Sequence, residues 1–410
     1  MKYFITILIL SIAIFADAKT IIVGKDRSIS TLRQGINMAQ NGDTVLLNRG
    51  TYREGNIIID KSIFLIGVDA PVLDGEGKNE ILTLTGKQIV VRGIHFANAG
   101  YSSMNDFAAL KVIDATSILI ENNSVQNSSF AIHIANSTRS VVRGNTIKGN
   151  NKSEHLSGNG IHLWKCQNMT IENNSISGHR DGIYFEFVTE STIKKNVSER
   201  NIRYGLHFMF SHNDNYLGNT FRNNGAGVAV MYSKNVRMED NLFDRNWGSS
   251  AYGILLKDIS NSHIIHNQFI QNTVAIHMEG SSRIETSSNT FKGNGWAIKV
   301  QASCDDNLFH HNNFYGNSFD IATNGTMSLN RFYNNYWDKY DGYDLNKDGI
   351  GDVPYHPVSM YAMMVEQNPT TLILMRSFMV SLLDKAEKAI PSLTPEYLID
   401  ELPMIKPNKL

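Results

Sequence analysis

Cysteine, net charge and helical periodicity are all scarce in this 410-residue chain. With 38 Lys and Arg against 39 Asp and Glu the formal net charge is -1, so no basic excess draws the protein to a polyanion, and nucleic acid drops out as a partner class. The two cysteines, Cys166 and Cys304, would be invited to pair in an oxidising compartment, but the repeat register described below sets them too far apart. Through the middle of the chain apolar residues alternate with polar ones and do not recur at 3.6, which disfavours helices and favours strands. Long apolar runs are confined to the two ends. At the start, Lys2, the run Tyr3 to Phe15 and the small-residue site Ala16-Asp17-Ala18 read as a secretory signal peptide over 1–18, so the mature protein is expected to begin near Lys19, outside the cytoplasm.

What is present is a repeat. A short phrase returns as A-I-H-I at 131–134, G-I-H-L at 160–163, G-I-Y-F at 182–185, G-L-H-F at 205–208 and G-V-A-V at 227–230. Twelve residues after its third position comes an asparagine, as from His133 to Asn145 or His207 to Asn219, and the same offset joins Lys111 to Asn123, Leu255 to Asn267, His277 to Asn289 and Ala322 to Asn334. Lys299 to Asn312 is one residue longer, so that coil is expected to hold an insertion. Intervals of 22 to 29 residues between these asparagines signal a solenoid, whose units cannot bury their apolar faces alone. Asparagine tolerates the left-handed backbone of a sharp corner and can bond the equivalent turn of the next coil. An all-β, right-handed parallel β-helix follows, with a helical N-terminal cap and an α-helical C-terminal tail.

The expected divisions are the signal peptide 1–18, a cap at 19–60, the β-helix at 61–336, an Asp/Gly-rich loop at 337–357 and the tail at 358–410. In the cap, Ser30 is a plausible N-cap for a helix burying Leu32, Ile36 and Ala39. In the coils, first and third phrase residues point inward, giving the stacks Ile132, Ile161, Ile183, Leu206, Val228 and Ile134, Leu163, Phe185, Phe208, Val230, with Met238 and Met278 as packing. Six coils at ~4.8 Å put Cys166 and Cys304 roughly 29 Å apart, so both are expected unpaired. Cys166 shares the outward parity of His162 and Trp164, which leaves it an accessory metal role. In the loop, Asp344, Asn346, Asp348 and Asp352 fit a calcium-binding pattern with Gly349 at its turn, but Tyr355 stands where a bidentate Glu belongs; an Asx-rich turn explains the same residues. The tail is apolar around most of its circumference from Leu372 to Leu383, too short and too interrupted by Arg376 to span a membrane, and Pro391 stops it.

Two outward rows carry the chemistry. The middle phrase position gives His133, His162, Tyr184, His207 and Ala229; two residues on stand Ala135, Trp164, Glu186, Met209, Met231 and Lys257. With coils ~4.8 Å apart and same-face neighbours roughly 6.6 Å apart, His207, Met209 and Met231 converge, with Glu186 beside them and His162 two coils away. Imidazole and thioether form a soft ligand set suited to Cu(I). A second reading takes Arg180, Arg203, His162, Tyr184, His207 and Glu186 as the site of a uronate lyase or epimerase. Against it, no outward column of aspartates is present to hold calcium, and methionine does nothing for a sugar. A third reading, a secreted adhesin, requires neither the methionine pair nor the apolar tail.

The stretches H-R-D-G-I-Y-F-E-F at 179–187, R-Y-G-L-H-F-M-F-S-H-N-D at 203–214 and N-G-A-G-V-A-V-M-Y-S at 224–233, with D-G-I-G-D-V-P-Y at 348–355, resemble the NosD family of nitrous oxide reductase maturation proteins, which act in denitrification. The resemblance implies a non-enzymatic periplasmic copper carrier. It would sit on the permease and ATPase of an ABC transporter through its C-terminal part, peripheral to the membrane, accept copper from a lipoprotein chaperone and pass it to the reductase. It also implies a copper-binding surface around His207, Met209 and Met231.

Overall fold

Alternating inward residues and left-handed corners make each coil three short strands and a return. In the computed structural model, which describes residues 18–102, 105–150, 153–154, 157–325, 329–389 and 398–410, the chain winds as a parallel β-solenoid of about 13 turns. Its strands form three parallel sheets of 14, 12 and 13 strands. The repeated phrase builds the 12-stranded sheet, as in Phe130–Ala135, Ile161–Trp164, Ile183–Glu186, Tyr204–Met209 and Ala226–Met231. The inward stacks are buried as expected, Met238 and Met278 included. Further round the coil, Phe243, Phe269, Phe291 and Phe314 stack ring on ring at 4.8 to 4.9 Å.

The asparagines form a buried ladder. Asn123 takes Asn145 Oδ1 on both its backbone N and its Nδ2, at 3.0 and 3.1 Å, and the pattern repeats coil after coil. The left-handed corner falls one residue earlier than expected, at Asn122, Gly144, Asn173 and Lys195, so the ladder residue itself is free to pair. The ladder also leaves Asn312 for Asn335 rather than for Asn334, which takes the corner conformation instead. A second ladder, through Asn201, Asn224, Asn246, Asn272, Asn294 and Asn317, runs five residues further on. The expected insertion is present: His277 opposes Lys299 while Ser282 opposes Asp305, so five residues of one coil face six of the next.

Cys166 corrects a parity reading. Lys165 has φ 51°, which breaks the strand alternation and turns Cys166 inward, into the column that Ser137 occupies one coil earlier. Its sulfur lies 3.4 Å from the Trp164 carbonyl, and burial pushes the thiol up to about 11. Both cysteines are buried and unpaired.

At the N-terminus, α1 (Leu32–Met38) is capped by Thr31 rather than Ser30, the Thr31 hydroxyl accepting from Gln34 N at 3.3 Å. Leu32, Ile36 and Ala39 are buried against the first coil, and sheet pairing already runs through Thr44–Leu47 and Ile57–Ile59. At the other end α2 (Met360–Gln367) packs on the last strand of the 12-stranded sheet, with the Phe319 and Tyr361 rings 5.7 Å apart. Asp400 ends the asparagine ladder: its Oδ2 accepts from Asn335 Nδ2 and from Trp337 Nε1, each at 3.0 Å. The single tail helix expected through Leu372–Leu383 is divided. A 3-10 turn at Pro369–Leu374 and α3 (Phe378–Ala389) flank Arg376, whose φ of 65° a continuous helix does not allow. Among the described residues no helix is long and apolar enough to cross a membrane. The segment Met1 to Asp17 and Pro391 lie outside the described residues.

Candidate functional site: a sheltered histidine row beside a methionine pair

His133, His162, Tyr184 and His207 stand in register on consecutive coils, with ring centroids 4.7, 4.7 and 4.9 Å apart. The row points away from the core but is not open surface, as the sequence reading had it: His133 is 8% exposed, His207 6% and Ala229 0%. Neighbouring segments cover it. Phe130 presents its edge to His133 at 5.9 Å, Asp106 brings a carboxylate oxygen within 3.8 Å of His133 Nε2, and Arg203 pairs with Glu154 at 3.4 Å. Burial holds His133 down to about 4, only partly offset by Asp106, and holds His162 well below the ordinary histidine range, helped by His133 and Arg180. Both imidazoles are neutral at pH 7 and able to ligate.

His207 is wedged between Tyr184 at 4.9 Å and Tyr204 at 4.8 Å. Asp181 Oδ2 lies 3.6 Å from His207 Nδ1 and 3.6 Å from Arg180 Nε, each too long for a hydrogen bond. Neither ring nitrogen of His207, nor Asp181 Oδ2, nor Arg180 Nε has a hydrogen-bond partner among the described residues, although all are buried. Unpaired buried polar atoms are uncommon because each forfeits its hydration, so a cluster of them at one point singles this place out as the candidate site. Asp181 and Tyr204 were not singled out in the sequence; the signal lay in the Asp181-Gly182 step. A Cβ at Gly182 would meet Ser198 Oγ at 2.0 Å, so the close approach that buries Asp181 requires glycine there.

Two residues along the strand, Met209 opposes Met231 in register, with Glu186 on one side of the pair and Lys257 on the other. Both thioethers are half-buried. The Tyr184 hydroxyl reaches Glu186 Oε2 at 3.3 Å and Met209 Sδ at 3.8 Å, and burial, then Glu186, pushes the phenol up to about 12. Phe187, Phe210 and Tyr232 stack beside the methionines at 5.3 and 4.9 Å. Register thus groups His207, Met209, Met231 and Glu186. His162 is separated from His207 by Tyr184 and is bonded instead to Asn159 Nδ2 at 3.0 Å. Among the described residues no three His, Cys, Asp or Glu side chains are arranged to hold a metal ion, so a metal here would draw on the thioethers.

In the 337–357 loop, Asp344 accepts backbone N–H bonds from Lys347, Asp348 and Gly349, Asn346 accepts from Asp348 N, Asp348 from Ile350 N and Asp352 from Leu345 N. These are the bonds of an Asx turn. Tyr355 leaves the loop to pack on Trp337, ring centroids 5.2 Å apart.

The fold and this site define a solenoid protein with a sheltered imidazole row leading to a thioether pair. Residues 149–346, which contain the whole row from His162 onward, match the model of the family described as periplasmic copper-binding protein (NosD). Two relatives named "Probable ABC transporter binding protein NosD" extend the likeness. One from Pseudomonas aeruginosa is 28% identical over 88% of this chain and 87% of its own length, and one from Stutzerimonas stutzeri is 26% identical over 88% and 86%. Among solved structures, the A-module of Azotobacter vinelandii mannuronan C-5 epimerase AlgE6 superposes with TM-score 0.60 at 16% identity, covering 74% of this chain and 95% of that one. The Streptococcus pneumoniae surface adhesin PfbA superposes with TM-score 0.55 at 15% identity, covering 77% and 90%. At such identities these two report the β-helix alone.

Proposed function

We propose that this protein is a periplasmic copper carrier that accepts Cu(I), holds it at His207, Met209 and Met231 with Glu186 and His162 at the margin, and delivers it to nitrous oxide reductase while docked on an ABC transporter. The observation that carries the reading is His207, both of whose ring nitrogens are buried without a hydrogen-bond partner among the described residues, beside two thioethers stacked in register. Soft, neutral ligands favour Cu(I), and an incomplete donor set suits a carrier that must release its cargo. The role is binding and hand-over. A copper-carrying lipoprotein is the donor in this reading, and the transporter's permease and ATPase form the platform.

The segments divide the work: coils over 61–336 carry the cargo site, and the tail over 358–410 supplies the docking surface. α2 is tied to the coils by the Lys299–Glu366 pair at 2.7 Å, while α3 turns apolar side chains outward. Calcium at Asp344, Asn346, Asp348 and Asp352 would stiffen the loop and plays no part in the copper route. The test is Cu(I) titration of the purified protein against a competing chelator. The uronate reading is kept for one reason, the Asp181, Tyr184, Tyr204 and His207 group with Arg180 and Arg203 nearby; alginate or pectate incubated with the protein and calcium, followed for unsaturated or epimerised products, tests it. We expect Cu(I) binding and no turnover; turnover lost in Tyr184→Phe would overturn the carrier assignment.

A further inference from the structure

The last coils carry a second group of imidazoles, on the 14-stranded sheet rather than on the sheet of the His207 row. His263 stands opposite Glu285, and His310 lies two residues beyond Leu308, which is the partner of Glu285 on the next coil. Glu285 Oε2 meets His263 Nδ1 at 2.9 Å, while Oε1 meets His310 Nε2 at 3.2 Å and Ser287 Oγ at 3.3 Å. An ionised carboxylate can only accept, so both imidazoles must donate to it. His310 is thereby fixed as the Nε2–H tautomer, and its Nδ1 is left with a bare lone pair.

That lone pair faces His311 Nδ1 at 2.9 Å. Consecutive residues of a strand send their side chains to opposite faces, yet here φ of 53° at His311 returns its ring to the side of His310, with centroids 5.1 Å apart and planes at 85°. Tyr333 holds the His310 ring from the other side, stacked at 4.9 Å and 8°. Two nitrogens bound to one ion at ~2.0–2.1 Å stand roughly 2.9 Å apart at the right angle of tetragonal Cu(II) and about 3.3 Å apart at the tetrahedral angle of Zn(II), so the observed 2.9 Å fits the first and needs to open by a few tenths of an ångström for the second. A carboxylate bonded to the far nitrogen of a ligating imidazole is how outer-shell groups orient metal sites.

We propose that His310 and His311 chelate one borderline divalent transition ion, Zn(II) or Cu(II), through their two Nδ1 atoms, with Glu285 as the positioning residue and water in the open positions. The site is independent of the thioether pair in place and in preference, since neutral imidazoles suit borderline ions and thioethers suit Cu(I). The rival explanation of the 2.9 Å contact is a plain hydrogen bond from His311 Nδ1–H to His310.

Calorimetry of the full-length mature protein with Zn(II), and electron paramagnetic resonance with Cu(II), separates the two. We expect one Zn(II) whose affinity falls at least tenfold in His310→Ala and in His311→Ala, and a Cu(II) signal split by two nitrogens that vanishes in the double variant. Glu285→Gln should weaken binding by ~10–100-fold while circular dichroism and Cu(I) binding stay unchanged. Zn(II) binding that survives the double variant, that is lost in Met209→Ala with Met231→Ala, or that ignores Glu285→Gln overturns the proposal.

Discussion

His207 Nδ1 and Asp181 Oδ2 stand 3.6 Å apart, both buried and neither with a hydrogen-bond partner among the described residues. A direct hydrogen bond would need the gap to close by about 0.4 Å or more, so the native spacing leaves the imidazole beside the carboxylate without a bond between them. If His207 ligates Cu(I), Asp181 steadies the ring from behind. Asp181→Asn is therefore expected to weaken Cu(I) binding by ~10-fold, the effect of an outer-shell change, while thermal unfolding shows the fold retained. Equal Cu(I) affinity in the variant would remove Asp181 from the site.

The methionine pair and the core beneath it should separate cleanly under mutation. Met209→Ala and Met231→Ala are expected to lower Cu(I) affinity at least tenfold each with little loss of stability, because both thioethers lie on the half-buried outer face. Phe208, one residue away and fully buried against Phe185 and Tyr216, should instead cost ~3–5 kcal/mol when cut to Ala, through lost burial and a cavity. Cu(I) competition and denaturant unfolding on the same three variants check both halves. Unaltered affinity in both methionine variants would move the site toward His133 and His162.

Asp214 offers a test inside the solenoid. Its side chain occupies the column that Asn307 and Asn330 fill in later coils: Oδ1 accepts from Ser191 N at 2.6 Å, but among the described residues neither the buried Oδ2 nor the nearby Tyr216 hydroxyl has a hydrogen-bond partner. Burial pushes the carboxyl up to about 8, so between pH 4 and 8 the folded chain keeps a proton that the unfolded chain has released. The contribution is fully present below pH 4 and is lost as pH rises through that window. His133, held down to about 4, acts with the opposite sign, its contribution lost as pH falls from 6.5 to 4, so the comparison must be made against the parent. Asp214→Asn should be more stable at pH 8 by about 1–3 kcal/mol, the cost of one unsatisfied buried group, provided its new Nδ2 donates as Asn307 Nδ2 does to the Ser281 carbonyl at 3.0 Å. The advantage should shrink toward pH 4. A variant no more stable than the parent at pH 8 would mean that Oδ2 already has its partner.

How much of this could be read in the sequence depends on which force sets each feature. Stacks such as Ile134, Leu163, Phe185 and Phe208 were legible because strand alternation admits one parity for apolar residues. Cys166 was misread because alternation stops at a left-handed residue, and Lys165 carries no mark of that conformation, unlike glycine or asparagine. The second asparagine ladder repeats at the same interval as the first and was open to detection. The shelter over His133 and His207 was not, since it comes from segments such as Asp106 and Glu154 that lie outside the repeat and reach the row only in three dimensions. Asp181 fell in the same gap: as an aspartate before glycine it reads as a turn residue until the neighbouring coil buries it.

The tail carries the remaining prediction. Leu372 and Val380 pack against the cluster of Phe319, Tyr361, Ala362 and Val365, which anchors the segment on the last coil. Ile373 and Phe378, by contrast, are 88% and 83% exposed, with Met379 and Leu382 open beside them. A contiguous apolar patch of this kind in a folded protein marks a contact surface, and a groove in a membrane-embedded transporter is the partner that the proposed function assigns to it. Replacing Phe378 and Leu382 with Ser should leave stability within ~0.5 kcal/mol, because neither side chain is buried by the solenoid. The same double variant is expected to lose co-purification with the transporter and to fail in maturing the reductase, while purified protein still binds Cu(I). Truncation before Thr371 also removes Asp400, which ends the ladder at Asn335 and Trp337, so it should give the same loss together with fraying of the last coils while the rest of the β-helix stays folded. If the Ser variant still co-purifies and matures the reductase, docking runs through the coils or the 337–357 loop, and the exposed face of α3 has another use.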